Sequence, residues 1–161
     1  MIQFNLSGRY QVHELIRQYA AEKLAEAPDD EHGTQHRHTQ YYLGWLSRTG
    51  DQLKGTQGDD VLDAIESEID NIRIAWEQAT VNHLHIELGQ ALESLVLYYM
   101  MRSRFLEGEH VLRATLEYFA DEDHTLEAQV LLFLARILYA YDWDTSVKFV
   151  RRGIALWLEY G

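Results

Sequence analysis

Between Leu84 and Gly161 the chain echoes itself at a distance of 38 residues, and few folds tolerate such a period. Arg104-Phe-Leu-Glu-Gly108 is matched by Asp142-Trp-Asp-Thr-Ser146, so that Phe105 answers Trp143 and Gly108 answers Ser146. Further along, Thr115 answers Gly153, each followed by an apolar residue (Leu116, Ile154), while Leu92 and Val130 lie upstream at matching distances. The offsets describe a helix, a short turn, an aromatic that plugs the turn, and a second helix. Small residues fall where that second helix must lie close against its mate. One such pair cannot bury its apolar face alone, so pairs must stack on one another.

The rest of the chain agrees with helices. There is a single proline, Pro28, and the ten glycines are scattered, a scarcity of breakers that disfavours a many-turned β fold. Leu62, Ile65, Ile69, Ile72, Trp76 and Ala79 alternate spacings of three and four and form a heptad-like seam. Glu66, Glu68 and Asp70 stand toward the front of that helix and read as a solvated face; Asn71, beside the seam, reads as a half-buried structural amide. Before it, Gly50 to Asp60 reads as a polar loop carrying Gly50, Gly55 and Gly58. A helix over about Gln35 to Arg48 packs through Tyr41, Tyr42, Trp45 and Leu46, with Gly33 breaking any earlier turn. At the start, Gln3 to Leu6 and Arg9 to Val12 flank Ser7-Gly8 as a β-hairpin. From His13 the apolar positions Leu15, Ile16, Tyr19, Ala20 and Leu24 keep helical spacing as far as Pro28.

Composition closes off several classes of function. Hydrophobic residues are 47% and charged residues 25%, too apolar a mixture for disorder. The absence of cysteine removes disulfides and thiolate metal sites and is compatible with a reducing, cytoplasmic setting. The longest apolar run, Leu95 to Met101, is far too short to span a bilayer, and the first residues lack the apolar core of a signal peptide. A formal net charge of −12 repels phosphates, so neither direct nucleic-acid binding nor an anionic membrane surface is expected.

The order of blocks resembles the region just after the ATPase core in bacterial STAND-class (NB-ARC type) regulators, which carry tetratricopeptide arrays. The blocks are Arg9-Tyr-Gln-Val-His-Glu-Leu-Ile-Arg-Gln-Tyr-Ala-Ala-Glu-Lys-Leu24, Arg37-His-Thr-Gln-Tyr-Tyr-Leu43, Ile65-Glu-Ser-Glu-Ile-Asp-Asn-Ile-Arg-Ile-Ala-Trp76, Arg104 to Gly108 and the final repeat to Gly161. The resemblance implies an all-α, right-handed superhelix of antiparallel, tetratricopeptide-like helix pairs with a short N-terminal β-hairpin. It implies three parts: residues 1–28 as the end of a winged helix (hairpin plus helix), 29–83 as a helical linker, and 84–161 as two repeats. A period longer than the usual ~34 residues calls for longer helices or an extended connection near Ala120 to Thr125. It also implies that His13, in Val12-His13-Glu14, stands where the family's histidine contacts the β-phosphate of ADP. That role exists only in a full-length protein, since the chain has no G-x-x-x-x-G-K-[ST] loop and is expected to hold no cofactor alone.

Mapped onto such pairs, the inner helices present Glu93, Leu97, Met100 and Met101, then Leu131, Ala135, Leu138 and Tyr139. That is an apolar groove with adaptable Met, suited to a protein partner or to self-association, as is the apolar last helix around Trp157 and Leu158. The expected function is a non-enzymatic interaction and regulatory module of a signalling or transcription regulator. The competing reading is a helical metal-dependent enzyme using His32, His36 and His38, of which His32 and His36 are four apart; His83-Leu-His85-Ile-Glu87 is a weaker candidate. His13-Glu-Leu-Ile-Arg17 resembles a zincin helix, but Arg17 stands where the second histidine must be, so that reading fails.

Overall fold

The computed structural model describes residues 2–4, 10–12, 14–26, 28–56, 58–119 and 122–161. Among them the fold is helical apart from two three-residue strands, β1 (Ile2–Phe4) and β2 (Tyr10–Val12), paired antiparallel with Ile2 opposite Val12. The helices are α1 (Glu14–Ala25), α2 (Pro28–Ser47), α3 (Gly50–Leu53), α4 (Gly58–Val81), α5 (His85–Met101), α6 (Phe105–Phe119), α7 (His124–Leu138) and α8 (Trp143–Tyr160). None of the described helices is long and apolar enough to cross a membrane. Two compact units divide the chain inside α2, Met1–Arg37 and His38–Gly161.

In the first unit, α1 leaves Leu15 and Tyr19 exposed and pairs Lys23 with Glu26 at 2.8 Å. The start of α2 corrects the sequence reading. The helix opens at Pro28 and runs through Gly33 without a break, about two turns earlier than the expected start at Gln35. Proline suits the first helical position because that N–H needs no intrahelical partner, and a mid-helix glycine costs only about 1 kcal/mol.

The second unit is a stack of helix pairs. Thr39 and Tyr42 of α2 reach Gln78 and Glu68 of α4, an antiparallel register. The expected loop from Gly50 to Asp60 is mostly ordered structure: α3 buries Leu53, and α4 already begins at Gly58. Burial of one leucine in the core outweighs the glycine-rich composition of the segment. The seam of α4 is buried as expected, and the Trp76 indole N–H donates to Thr115 Oγ1 at 2.9 Å.

Helix α5 is enclosed through its middle, with every residue from Ser94 to Tyr99 buried, as contact with several neighbours requires. It packs against α3, α4, α6 and α7. The small positions of the 38-residue echo fall at close contacts between helices. A Cβ on Gly108 would meet Ile137 Cδ1 at 2.9 Å and Tyr99 Cβ at 3.0 Å, and one on Gly153 would meet Leu132 Cγ at 3.0 Å. Ser146 is buried and donates to the Ala135 carbonyl at 2.8 Å. These contacts make α5/α6 and α7/α8 antiparallel pairs. Across layers the helices run parallel, the start of α5 lying beside the start of α7. Asp123 and Asp142 cap α7 and α8 by accepting from the Leu126 and Thr145 N–H groups.

Candidate functional site

Two surfaces on the stack carry chemistry. The first is the outer side of α8. Small residues turn one face of that helix onto α7 and leave Ile154, Trp157 and Leu158 exposed, Leu158 by 81%. With Leu132, Phe133 and Arg136 of α7 they line an open apolar groove of about 440 Å³. Polar anchoring lies behind it. Glu127 is only 1% exposed, yet it is ionisable; Arg152 of α8 pairs with it, and His124 approaches at 3.5 Å while stacking on Tyr160. Nothing in the linear pattern marked Glu127, which sits among apolar residues on α7.

The second surface joins the turn between α4 and α5 to the connection between α6 and α7. The α4 helix ends with Leu84 N–H bonded to the Ala79 carbonyl and His83 N–H to that of Thr80, a Schellman turn that puts His83 at a φ of 54°. His85 opens α5. From the next layer come Glu122 and Asp123: His83 Nδ1 lies 2.9 Å from Glu122 Oε2, and His85 Nδ1 lies 2.7 Å from Asp123 Oδ2. Both rings lean on the buried Phe119 ring. Burial works to raise the Asp123 carboxyl, but the Leu126 N–H and the His85 ring outweigh it and hold its pKa below the ordinary value. Beside this cluster a cleft of about 320 Å³ is lined by His85, Gly89, Gln90 and Gln129. Sequence reading paired these histidines with Glu87; the structure supplies Glu122 and Asp123 instead, and Asp123 lies one 38-residue period after His85.

The other expected sites fall as follows. His13 lies outside the described residues. His32 and His36 are exposed in the first unit, whereas His38, in the second, packs on the Tyr42 ring at 4.7 Å. Burial depresses the His38 imidazole's pKa, against a hydrogen bond with Asn71 that raises it. Among the described residues, the group of three metal-capable side chains with ligand atoms within 4.8 Å of one another is His83, His85 and Glu122.

Of the expected groove, Leu97, Leu131, Ala135 and Leu138 are buried, because α5 is covered by α3, α4, α6 and α7, and α7 by α5, α6 and α8; they line no open surface. Met101 and Tyr139 are exposed, Met100 packs against the core, and Glu93 pairs with Lys54 at 2.8 Å. The acids of α4 are also more engaged than a solvated face. Glu66 accepts from Tyr98 Oη at 2.7 Å and from Arg104 at 2.5 Å. The Tyr98 hydrogen bond, together with Arg104 and Arg102, outweighs desolvation and lowers the Glu66 pKa. Glu68 accepts from Asn71 and Tyr42, and Asp70 remains exposed beside Arg73.

Comparison with protein-family models, with curated proteins and with solved structures finds no match to this chain.

Proposed function

We propose that this chain is a protein–protein interaction and regulatory module made of tetratricopeptide-like helix pairs wound into a right-handed superhelix, without a catalytic role. The observation that carries the reading is the outer face of α8. One period earlier, Phe119 holds the place of Trp157 and is buried under its neighbours, whereas Trp157 is 46% exposed. An apolar groove of this kind fits the apolar stripe of another helix. In the purified chain that helix comes from a second copy.

Light scattering across a wide concentration range tests this. Association that rises with concentration and is lost in Leu158→Asp supports the proposal. A monomer throughout, with no response to Leu158→Asp, overturns it.

The same proposal places the module in a STAND-type signalling or transcription regulator, with β1, β2 and α1 as the wing hairpin and exit helix of a winged-helix domain. Support comes from the block Arg9 to Leu24 and the block Ile65 to Trp76. In a full-length protein His13 would then touch the ADP β-phosphate, and His13→Ala would loosen ADP and raise basal activity. A full-length protein whose ADP affinity ignores that substitution removes this part of the reading.

A further inference from the structure

We propose that His83, His85 and Glu122 form a zinc site that ties the α4–α5 turn to the α6–α7 connection. One nitrogen from each ring and one Glu122 oxygen lie within 4.8 Å of one another. Zinc bonds of about 2.0–2.2 Å set neighbouring ligand atoms about 3.3 Å apart, so the three atoms need draw together by no more than about 1.5 Å. Two imidazoles and one carboxylate are a borderline donor set that suits zinc, and three protein ligands leave a position for water.

Two further observations separate this group from a pair of surface ion pairs. Asp123 already accepts from His85 at Nδ1, at 2.7 Å, while its other oxygen is held by the Leu126 N–H. A carboxylate on one nitrogen fixes the tautomer and leaves the lone pair on Nε2, the arrangement that orients metal-binding histidines. His83 also occupies a left-handed backbone position that glycine fills most easily. The turn between α5 and α6 has the same geometry and needs only Ser103 there. The histidine ring at residue 83 is thus more than the turn requires, and the turn aims it at Glu122.

The ligands come from two stacked layers, so bound zinc cross-links them. Both histidine ligands also rest on the buried Phe119 ring.

The test is calorimetric titration of zinc into the metal-free chain, alongside thermal unfolding with and without zinc. One equivalent of zinc binds and raises the unfolding midpoint. His83→Gly is the decisive variant: glycine keeps the left-handed turn while removing the ring and with it the ligand, and its zinc-free unfolding midpoint accounts for the lost contact with Phe119. It and Glu122→Gln weaken binding by tenfold or more and abolish the thermal response, while His36→Ala binds as the parent does. Absence of stoichiometric binding overturns the proposal. So does binding that survives both His83→Gly and Glu122→Gln, which would put the zinc elsewhere on the chain.

Discussion

The pairs α5/α6 and α7/α8 share a spacing of small and aromatic residues but occupy different environments. Phe105 packs against the core and Trp143 is 60% exposed; Phe119 is buried and Trp157 is not. Inside each pair the contact is alike, with Gly108 and Gly153 both admitting a neighbour to near the van der Waals limit. The repeated residues therefore encode the contact within a pair. Whether the outward aromatics count as core depends on what lies beyond them.

Four comparisons probe that contrast, from the largest effect to the smallest. Phe119→Ala should cost about 3–5 kcal/mol in urea unfolding, the usual range for an aromatic lost from a core. Trp157→Ala should cost less than about 1 kcal/mol in dilute monomer. Equal losses would mean that α8 is covered in solution. Gly108→Ala should cost about 2–3 kcal/mol, since the added methyl meets both Ile137 and Tyr99. Gly153→Ala should cost less, because the more exposed α8 can shift outward.

Arg152→Ala comes third. It strands the buried Glu127 carboxylate and should destabilise by about 2 kcal/mol, less than a fully buried pair because Arg152 is half exposed. Adding Glu127→Gln should recover part of the loss, and a double-mutant cycle showing no coupling would contradict the anchoring of α8 described above.

The smallest effect is acid sensitivity. The His38 pKa is depressed in the fold, so the unfolded chain takes up more protons and stability falls as pH drops below about 6.5. Glu66 is depressed too, so its contribution is present above about pH 4.3 and is lost as pH falls through its lower native value. His38→Phe should flatten the first decline and Tyr98→Phe the second, both read from urea midpoints against pH. Profiles that match the parent would show that these groups carry no linkage.

Much of the stack was legible because a period and a seam are local signals. The α4 seam and the close contacts at Gly108, Ser146 and Gly153 all follow from spacing. The same period could have been pushed further. Parallel stacked helices bring residue i near residue i+38, which is how His85 meets Asp123 and Glu66 meets Arg104. Reading the acids of α4 as a solvated face missed this because their partners come from another layer. Gly33 misled because a glycine's intrinsic cost is small beside the propensity of a long helix around it. The expected groove failed at Leu131, Ala135 and Leu138 because helical periodicity identifies an apolar face but not which neighbour covers it.

Enclosure of α5 has a consequence for motion. The middle of a helix packed against α3, α4, α6 and α7, buried without interruption from Ser94 to Tyr99, has no solvent side, so its amides can exchange with solvent only when the stack opens as a whole. Their hydrogen-exchange rates in the middle of α5, from Ser94 to Tyr99, should therefore report global stability. The amides of α8, with neighbours on one side only, should exchange through smaller openings. The stack then has a slow centre and a fast rim, and a partner that covers α8 would register first as slowed exchange at that rim.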